Sequence, residues 1–210
     1  MNDTGARGSA ELWLDAAYEA LVEGGVDAVR ILPLAQRLNL ARTSFYWFFK
    51  DREELLAALA DRWAAKNSAA LIAATQAYAE TESEAMLNVI AAVIDPAVFD
   101  SRFEFAVRSW ALQSPAMMER LNAADRERLA ALGAMMERWG HPLLESDVRA
   151  HAVYLTQIGY IALQVRETLA ERMRRVPLYV NIFTGQPPEP RELARFHARF
   201  GYDPNDEEAA

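Results

Sequence analysis

Leu34–Lys50 reads LAQRLNLARTSFYWFFK, a helical apolar pattern that breaks at Asn39 and resumes at once in an aromatic cluster. Two short helices joined by a tight turn read this way: each needs an apolar face, and the turn needs a residue that tolerates a left-handed backbone. Leu34, Ala35 and Leu38 supply the first face, and Asn39 suits the turn. Beyond it, Leu40, Phe45 and either Phe48 or Phe49 are expected to close a small core. Consecutive helical residues cannot all face inward, so the run Phe45–Phe49 must send one or two rings outward. Tyr46 is the ring expected to point out, and Trp47 is open to either side. Arg42, Thr43, Ser44, Tyr46 and Trp47 are then partly free, and their side chains suit phosphates and base edges.

Charge singles out the same window. The chain carries a net charge of −8, which taken whole argues against phosphate neutralisation. Between Arg30 and Arg52, however, stand five basic residues (Arg30, Arg37, Arg42, Lys50, Arg52) and one acid (Asp51). The window is therefore +4 and the remainder −12.

Outward from this stretch, nearly everything reads as helix, so the expected fold class is all-α. A first helix carries Leu12, Leu14, Ala17, Tyr18, Leu21 and Val22 on its inner stripe and ends at Gly24-Gly25. A second begins near Ile31, with Pro33 where a missing N–H costs little, and runs to Leu38. A third spans Arg42 to Phe48. Asp51 and Glu54 fit a capping box ahead of Leu55, Leu56, Leu59 and Trp63, and this fourth helix is expected to run toward Tyr78. Further breaks fall near Thr81, Asp95-Pro96, Ser114-Pro115, Gly140 to Pro142 and Gly185 to Pro190. Ser146 to Leu169 reads as one long helix, with Val148, Ala152, Leu155, Gly159 and Ala162 on one face as a candidate dimer interface. The terminal DPNDEEAA reads as an acidic tail. The expected organisation is a helix-turn-helix domain over 1–50, with its motif about 30–49, followed by a helical bundle over 51–210.

Composition excludes several chemistries. With no cysteine there is no disulfide, thiolate metal site or cysteine nucleophile, and the three histidines are scattered. No glycine-rich phosphate loop is present, so neither metal nor cofactor is expected. No apolar run approaches the roughly 20 residues that span a bilayer, and MNDTGARGSAE lacks the apolar core of a signal peptide; a cytoplasmic location is expected.

With its glycine-ended first helix, the segment LAQRLNLARTSFYWFFKDREELLAAL resembles the DNA-binding domain of the TetR/AcrR family of bacterial regulators over roughly the first sixty-five residues. The most specific piece is SFYWFFKDREELL, Ser44 to Leu56, with its aromatic cluster, basic residue and leucine pair. FEFAVRSWALQSP (Phe103–Pro115) and VPLYVNIFTG (Val176–Gly185) resemble segments of some members' regulatory domains. The resemblance implies a homodimeric transcriptional regulator, a repressor rather than an enzyme, released from a palindromic operator by a small-molecule effector whose binding tilts the fourth helix. Carried over by position, Arg42, Thr43, Ser44 and Tyr46 reach the major groove, Lys50 and Arg52 hold phosphates, and Arg30 and Trp47 join the DNA-binding set. An effector cavity is expected from Phe103, Arg108, Trp110, Met117, Met118, Tyr154 and Gln157. Asn39, Ala41, Thr43 and Phe48 stand where the family more often has glycine, a Ser or Thr cap, glycine and histidine; these departures leave the fold and bear on the operator sequence. An effector-independent DNA-binding dimer and an all-α enzyme remain as alternatives.

Overall fold

The computed structural model describes residues 8–204, and no strand occurs among them. The first seven residues and the acidic end from residue 205 lie outside the described residues. No described helix is long and apolar enough to cross a membrane. The chain divides into two compact units, one of Met1–Lys66 with Ser101–Ala123, the other of Asn67–Asp100 with Ala124–Ala210.

In the first unit, helix α1 (Ala10–Gly24) begins where the Ser9 hydroxyl accepts the Leu12 N–H at 3.1 Å and ends at Gly25, whose φ of 76° is open to glycine. Its buried face is Trp13, Ala16, Ala17, Ala20 and Leu21. Leu12, expected inside, is 45% exposed, because one turn back from Ala17 leads to Trp13. A 3-10 turn at Val26–Ala28 leads to α2 (Ile31–Leu38) and α3 (Arg42–Phe45). The third helix is shorter than the expected span to Phe48, and the chain from Tyr46 onward is turn. Helix α4 (Arg52–Trp63) starts at Asp51, whose carboxylate accepts the Glu54 N–H at 2.9 Å. The return bond differs from the expected box: the Glu54 carboxylate accepts the N–H of Lys50 instead of that of Asp51. Helix α4 buries Leu55, Leu56, Leu59 and Trp63 in this unit, packing on α1 and on a later helix, Ser101–Ala111. The unit therefore reaches past residue 50. There the fully buried Glu104 accepts from Trp63 Nε1 at 2.7 Å and from Arg108 Nε at 3.0 Å.

Winding continues beyond α4 through a π-helical turn, Ala64–Ser68, into α5 (Ala69–Gln76). Helix α6 (Glu82–Ile94) is capped by Thr81, α7 is the Ser101–Ala111 segment, and α8 covers Pro115–Arg138. The long helix expected over Ser146–Leu169 is instead α9 (Leu143–Ala162), a break, and α10 (Leu169–Thr184). Gln164 takes a left-handed φ of 49° at the break, and Thr168 with Glu171 forms a full capping box for α10. No glycine or proline marks the break, although the Thr-x-x-Glu pattern was there to be read. The second unit packs α6 against α5, α10 and α11 (Pro190–Arg199), and α10 against α9. Its core holds Arg128, fully buried, whose Nε donates to Ser68 Oγ at 3.0 Å and whose Nη1 donates to the Tyr154 hydroxyl at 3.1 Å.

His197 on α11 is 8% exposed and meets the Tyr202 ring edge-on at 4.8 Å. Burial holds its pKa below the usual imidazole range, and its Nε2 has no hydrogen-bond partner among the described residues. An unfolded histidine titrates near ~6.5, so the unfolded chain binds the proton first as pH falls. The stability tied to neutral His197 is complete above about pH 6.5 and is lost as pH falls from there toward the lower folded value. Urea midpoints taken on both sides of that window should fall less on acidification for His197→Phe than for the unaltered protein.

Candidate nucleic-acid interface

The turn between α2 and α3 is built from backbone bonds. Asn39 sits at φ 53°, ψ 41°, its N–H donates to Gln36 O at 3.1 Å, and the Leu40 N–H reaches Ala35 O at 2.9 Å. That crossed pair is a Schellman closure, which satisfies the last carbonyls of α2 and fixes the direction of the chain. Ala41 begins α3 without a side-chain cap; the Ser44 hydroxyl donates back to Ala41 O at 2.7 Å. Beneath this lies an aromatic core. Phe45, fully buried, meets Trp13 edge-on at 5.2 Å and Phe49 at 5.6 Å, with Leu34 and Ala35 buried beside them.

Burying Phe45 turns its neighbours outward. Tyr46 is 49% exposed, as expected, and Trp47, left open by the sequence, is 75% exposed. Arg42 and Thr43 are exposed one turn earlier, and Arg42 Nη2 donates to the Tyr46 hydroxyl at 3.2 Å. Lys50 is also exposed. Ser44 is half-buried, and its hydroxyl serves α3.

The basic window divides by partner. Arg37 Nη2 lies 2.9 Å from both carboxylate oxygens of Glu23, which holds the Glu23 carboxyl below its usual range. The Arg52 guanidinium ties the fold together, donating to Val29 O at 2.7 Å, Val26 O at 2.8 Å and Glu53 at 3.1 Å. Arg30, exposed, donates Nε to Asp27 O at 2.7 Å. Arg30, Arg42 and Lys50 have no carboxylate partner among the described residues, so their charge faces solvent. Sequence reading had no signal for this division, because Glu23 meets Arg37 only once α1 and α2 pack.

In the second unit, a cavity of about 70 Å³ lies among α5, α6, α8, α9 and α10. Of the expected effector residues it is lined by Tyr154 and Gln157. Phe103, Arg108, Trp110, Met117 and Met118 belong to the first unit and do not line it. The sequence reading missed Tyr160, Arg172 and Tyr179, which do line it. Arg172, Val176, Tyr179 and Phe183 share one face of α10 at spacings of three and four, a signal readable once Leu169–Thr184 is taken as a separate helix.

The expected dimer residues lie along α9. Val148 is 59% and Leu155 61% exposed, Ala152 and Ala162 are exposed, and Gly159 is half-buried. Helix α10 adds Leu178 at 65% and Ile182 at 68%. Apolar side chains thus stand uncovered on two packed helices of the same unit. No group of three or more acidic or histidine side chains poised to hold a metal ion occurs among the described residues.

Residues 14–59, which hold most of α1, the whole turn and most of α4, match the sequence profile of bacterial regulatory proteins of the tetR family. Tetracycline repressor protein class D of Escherichia coli is 42% identical over 55 residues, 26% of this chain and 25% of that one. The chain thus aligns with about a quarter of that repressor's length. A transcriptional regulator from Rhodococcus sp. Rha1 superposes with a TM-score of 0.57 at 18% identity, covering 91% of this chain and 97% of its own. A chain from Mesorhizobium loti MAFF303099 gives 0.56 at 13%, covering 95% and 98%. At those identities the likeness is one of fold.

Proposed function

We propose that the chain, whose residues 14–59 match the tetR family of bacterial regulatory proteins, is a homodimeric, DNA-binding transcriptional repressor controlled by a small-molecule effector. The observation that carries the reading is the outward cluster Arg42, Thr43, Tyr46, Trp47 and Lys50, presented by a Schellman turn over a closed aromatic core. Arg42 and Thr43 read base edges, Tyr46 reads a base or a phosphate, and Lys50 and Arg30 neutralise phosphates. Ser44 and Arg52 act chiefly by holding α3 and α4 in place, since their donors are engaged within the fold. A cytoplasmic location goes with this reading.

The uncovered apolar face of α9 and α10 supports pairing with a second copy. A two-fold dimer presents two recognition helices to successive major grooves, about 34–36 Å apart or a multiple of it, so the operator is a palindrome. The second unit's cavity supports effector control. If the DNA-competent and released states differ by ~2 kcal/mol, an effector must bind the released state roughly thirtyfold more tightly to balance them.

The division between base reading and phosphate contact is tested with duplex operator DNA and fluorescence anisotropy across a salt series. Arg42→Ala should relax preference for the operator over a scrambled duplex by about 1–3 kcal/mol, whereas Lys50→Ala should weaken both duplexes evenly and reduce the salt slope by about one. Identical behaviour of the two variants would remove the division of labour, and salt-independent binding by the parent protein would remove the DNA reading.

A further inference from the structure

The cavity of the second unit is chemically two-sided. Leu71 of α5, Val89 and Val93 of α6, and Leu132 of α8 give it an apolar wall, while Gln157 and Tyr160 of α9 and Arg172 and Tyr179 of α10 bring polar groups. We propose that it takes a small monocarboxylate with an apolar body, the carboxylate held by Arg172 and the body lying against α6. The inference rests on the effector-controlled reading of this cavity and names its ligand class.

Arg172 brings unfilled donors and an unbalanced charge to the cavity. Arg172 touches its one carboxylate neighbour weakly, Nε to Glu167 at 3.5 Å, and its guanidinium lies 5.3 Å from the centre of the Tyr160 ring. No hydrogen bond of either Nη atom occurs among the described residues, so a planar guanidinium edge is open to a bidentate acceptor. Glu167 is also the partner of Arg175, and its side chain is 5% exposed. Glu167 is thus shared by two guanidiniums, and Arg172 is the one charged side chain among the residues that line the cavity, so the lining is net positive.

The tyrosines tie Glu167 into the polar end of the cavity. The Tyr160 hydroxyl lies 3.2 Å from Glu167 Oε1, to which it donates, and 3.0 Å from the Tyr179 hydroxyl. Burial and the bond to Tyr179 push the Tyr160 pKa up to about 12, so its hydroxyl keeps the proton it gives to Glu167 at ordinary pH. A cationic head group would meet Arg172, and a neutral one would leave its charge as it is. A carboxylate neutralises the end and fills the open edge, while a short aliphatic or aromatic body gains burial against the valines. At about 70 Å³ the space suits a small ligand, and a drug-sized effector would have to widen it.

The test uses the full chain, isothermal calorimetry and an isosteric series: hexanoate, hexanamide and hexylamine. Hexanoate should bind at least tenfold more tightly than hexanamide, equivalent to ~1.4 kcal/mol, with hexylamine weaker still. Arg172→Met keeps the apolar stem and should bring hexanoate down to the level of hexanamide while leaving hexanamide unchanged; Arg172→Lys should restore part of the preference. Equal affinities across the series, an anion preference that survives in Arg172→Met, or no binding by any of the three would overturn the proposal. Parallel anisotropy with duplex DNA separates this from the broader reading: DNA binding without carboxylate preference overturns the ligand class alone, whereas carboxylate preference without DNA binding overturns the regulator.

Discussion

Glutamates placed together at Val148 and Leu155 should give a folded monomer whose affinity for a palindromic operator is lower by about a hundredfold. Both side chains are more than half exposed in the single chain, at 59% and 61%, so the substitutions remove little packing within it. Changes at such positions typically alter the stability of a folded chain by no more than about 0.5 kcal/mol. In the proposed dimer the same positions would be covered, and four carboxylates would be desolvated across the two-fold axis without partners. The drop in DNA affinity follows from tethering. Binding one half-site holds the other recognition helix near its own at an effective concentration of about 10⁻³ M. Against a weak single-module affinity of about 10⁻⁵ M, that advantage is about a hundredfold. Sedimentation and anisotropy should therefore change together while circular dichroism and the urea midpoint stay in place. A dimer that survives both glutamates would move the interface away from α9.

Phe45→Ala should act on the other unit and by another route. The ring is fully buried and contacts Trp13 edge-on at 5.2 Å and Phe49 at 5.6 Å. Truncating a buried phenylalanine to alanine costs about 3–5 kcal/mol, from lost burial and from the cavity that remains. Because α3 is four residues long and has no side-chain cap, little besides this ring holds it against α1. Phe45→Ala should therefore abolish operator binding and lower the urea midpoint, whereas Phe45→Leu, which fills most of the volume, should keep binding with a smaller loss. Full binding by Phe45→Ala would mean that the aromatic core does not position the recognition surface.

The all-α class and the helix-turn-helix were legible in the sequence because they rest on short-range signals. Asn39 at the turn, Gly25 after α1 and Asp51 before α4 each act within a few residues of themselves. The division of the basic window was not legible, because Arg37 meets Glu23 and Arg52 meets the carbonyls of Val26 and Val29 only through packing. The cavity was half legible. Tyr154 and Gln157 were expected there, but the break at Gln164 carries no glycine or proline, so the start of α10 was run into the helix expected over Ser146–Leu169 and the α10 face with Arg172 and Tyr179 was not read. Phe103 and Trp110 drew attention as large apolar residues in a segment that resembles regulatory domains; both are core residues of the first unit. Hydrophobicity says that a residue is buried, and only the contacts say in which unit.

The central claim, that the surface around Arg42 and Tyr46 reads a specific duplex, is tested most directly by selecting fragments of the source genome on the purified protein and sequencing what is retained. The expected result is a palindrome with half-sites centred about 10 base pairs apart, or a multiple of that, whose enrichment disappears with Arg42→Ala. Retention of fragments without a shared motif, or the same motif recovered with Arg42→Ala, would contradict it.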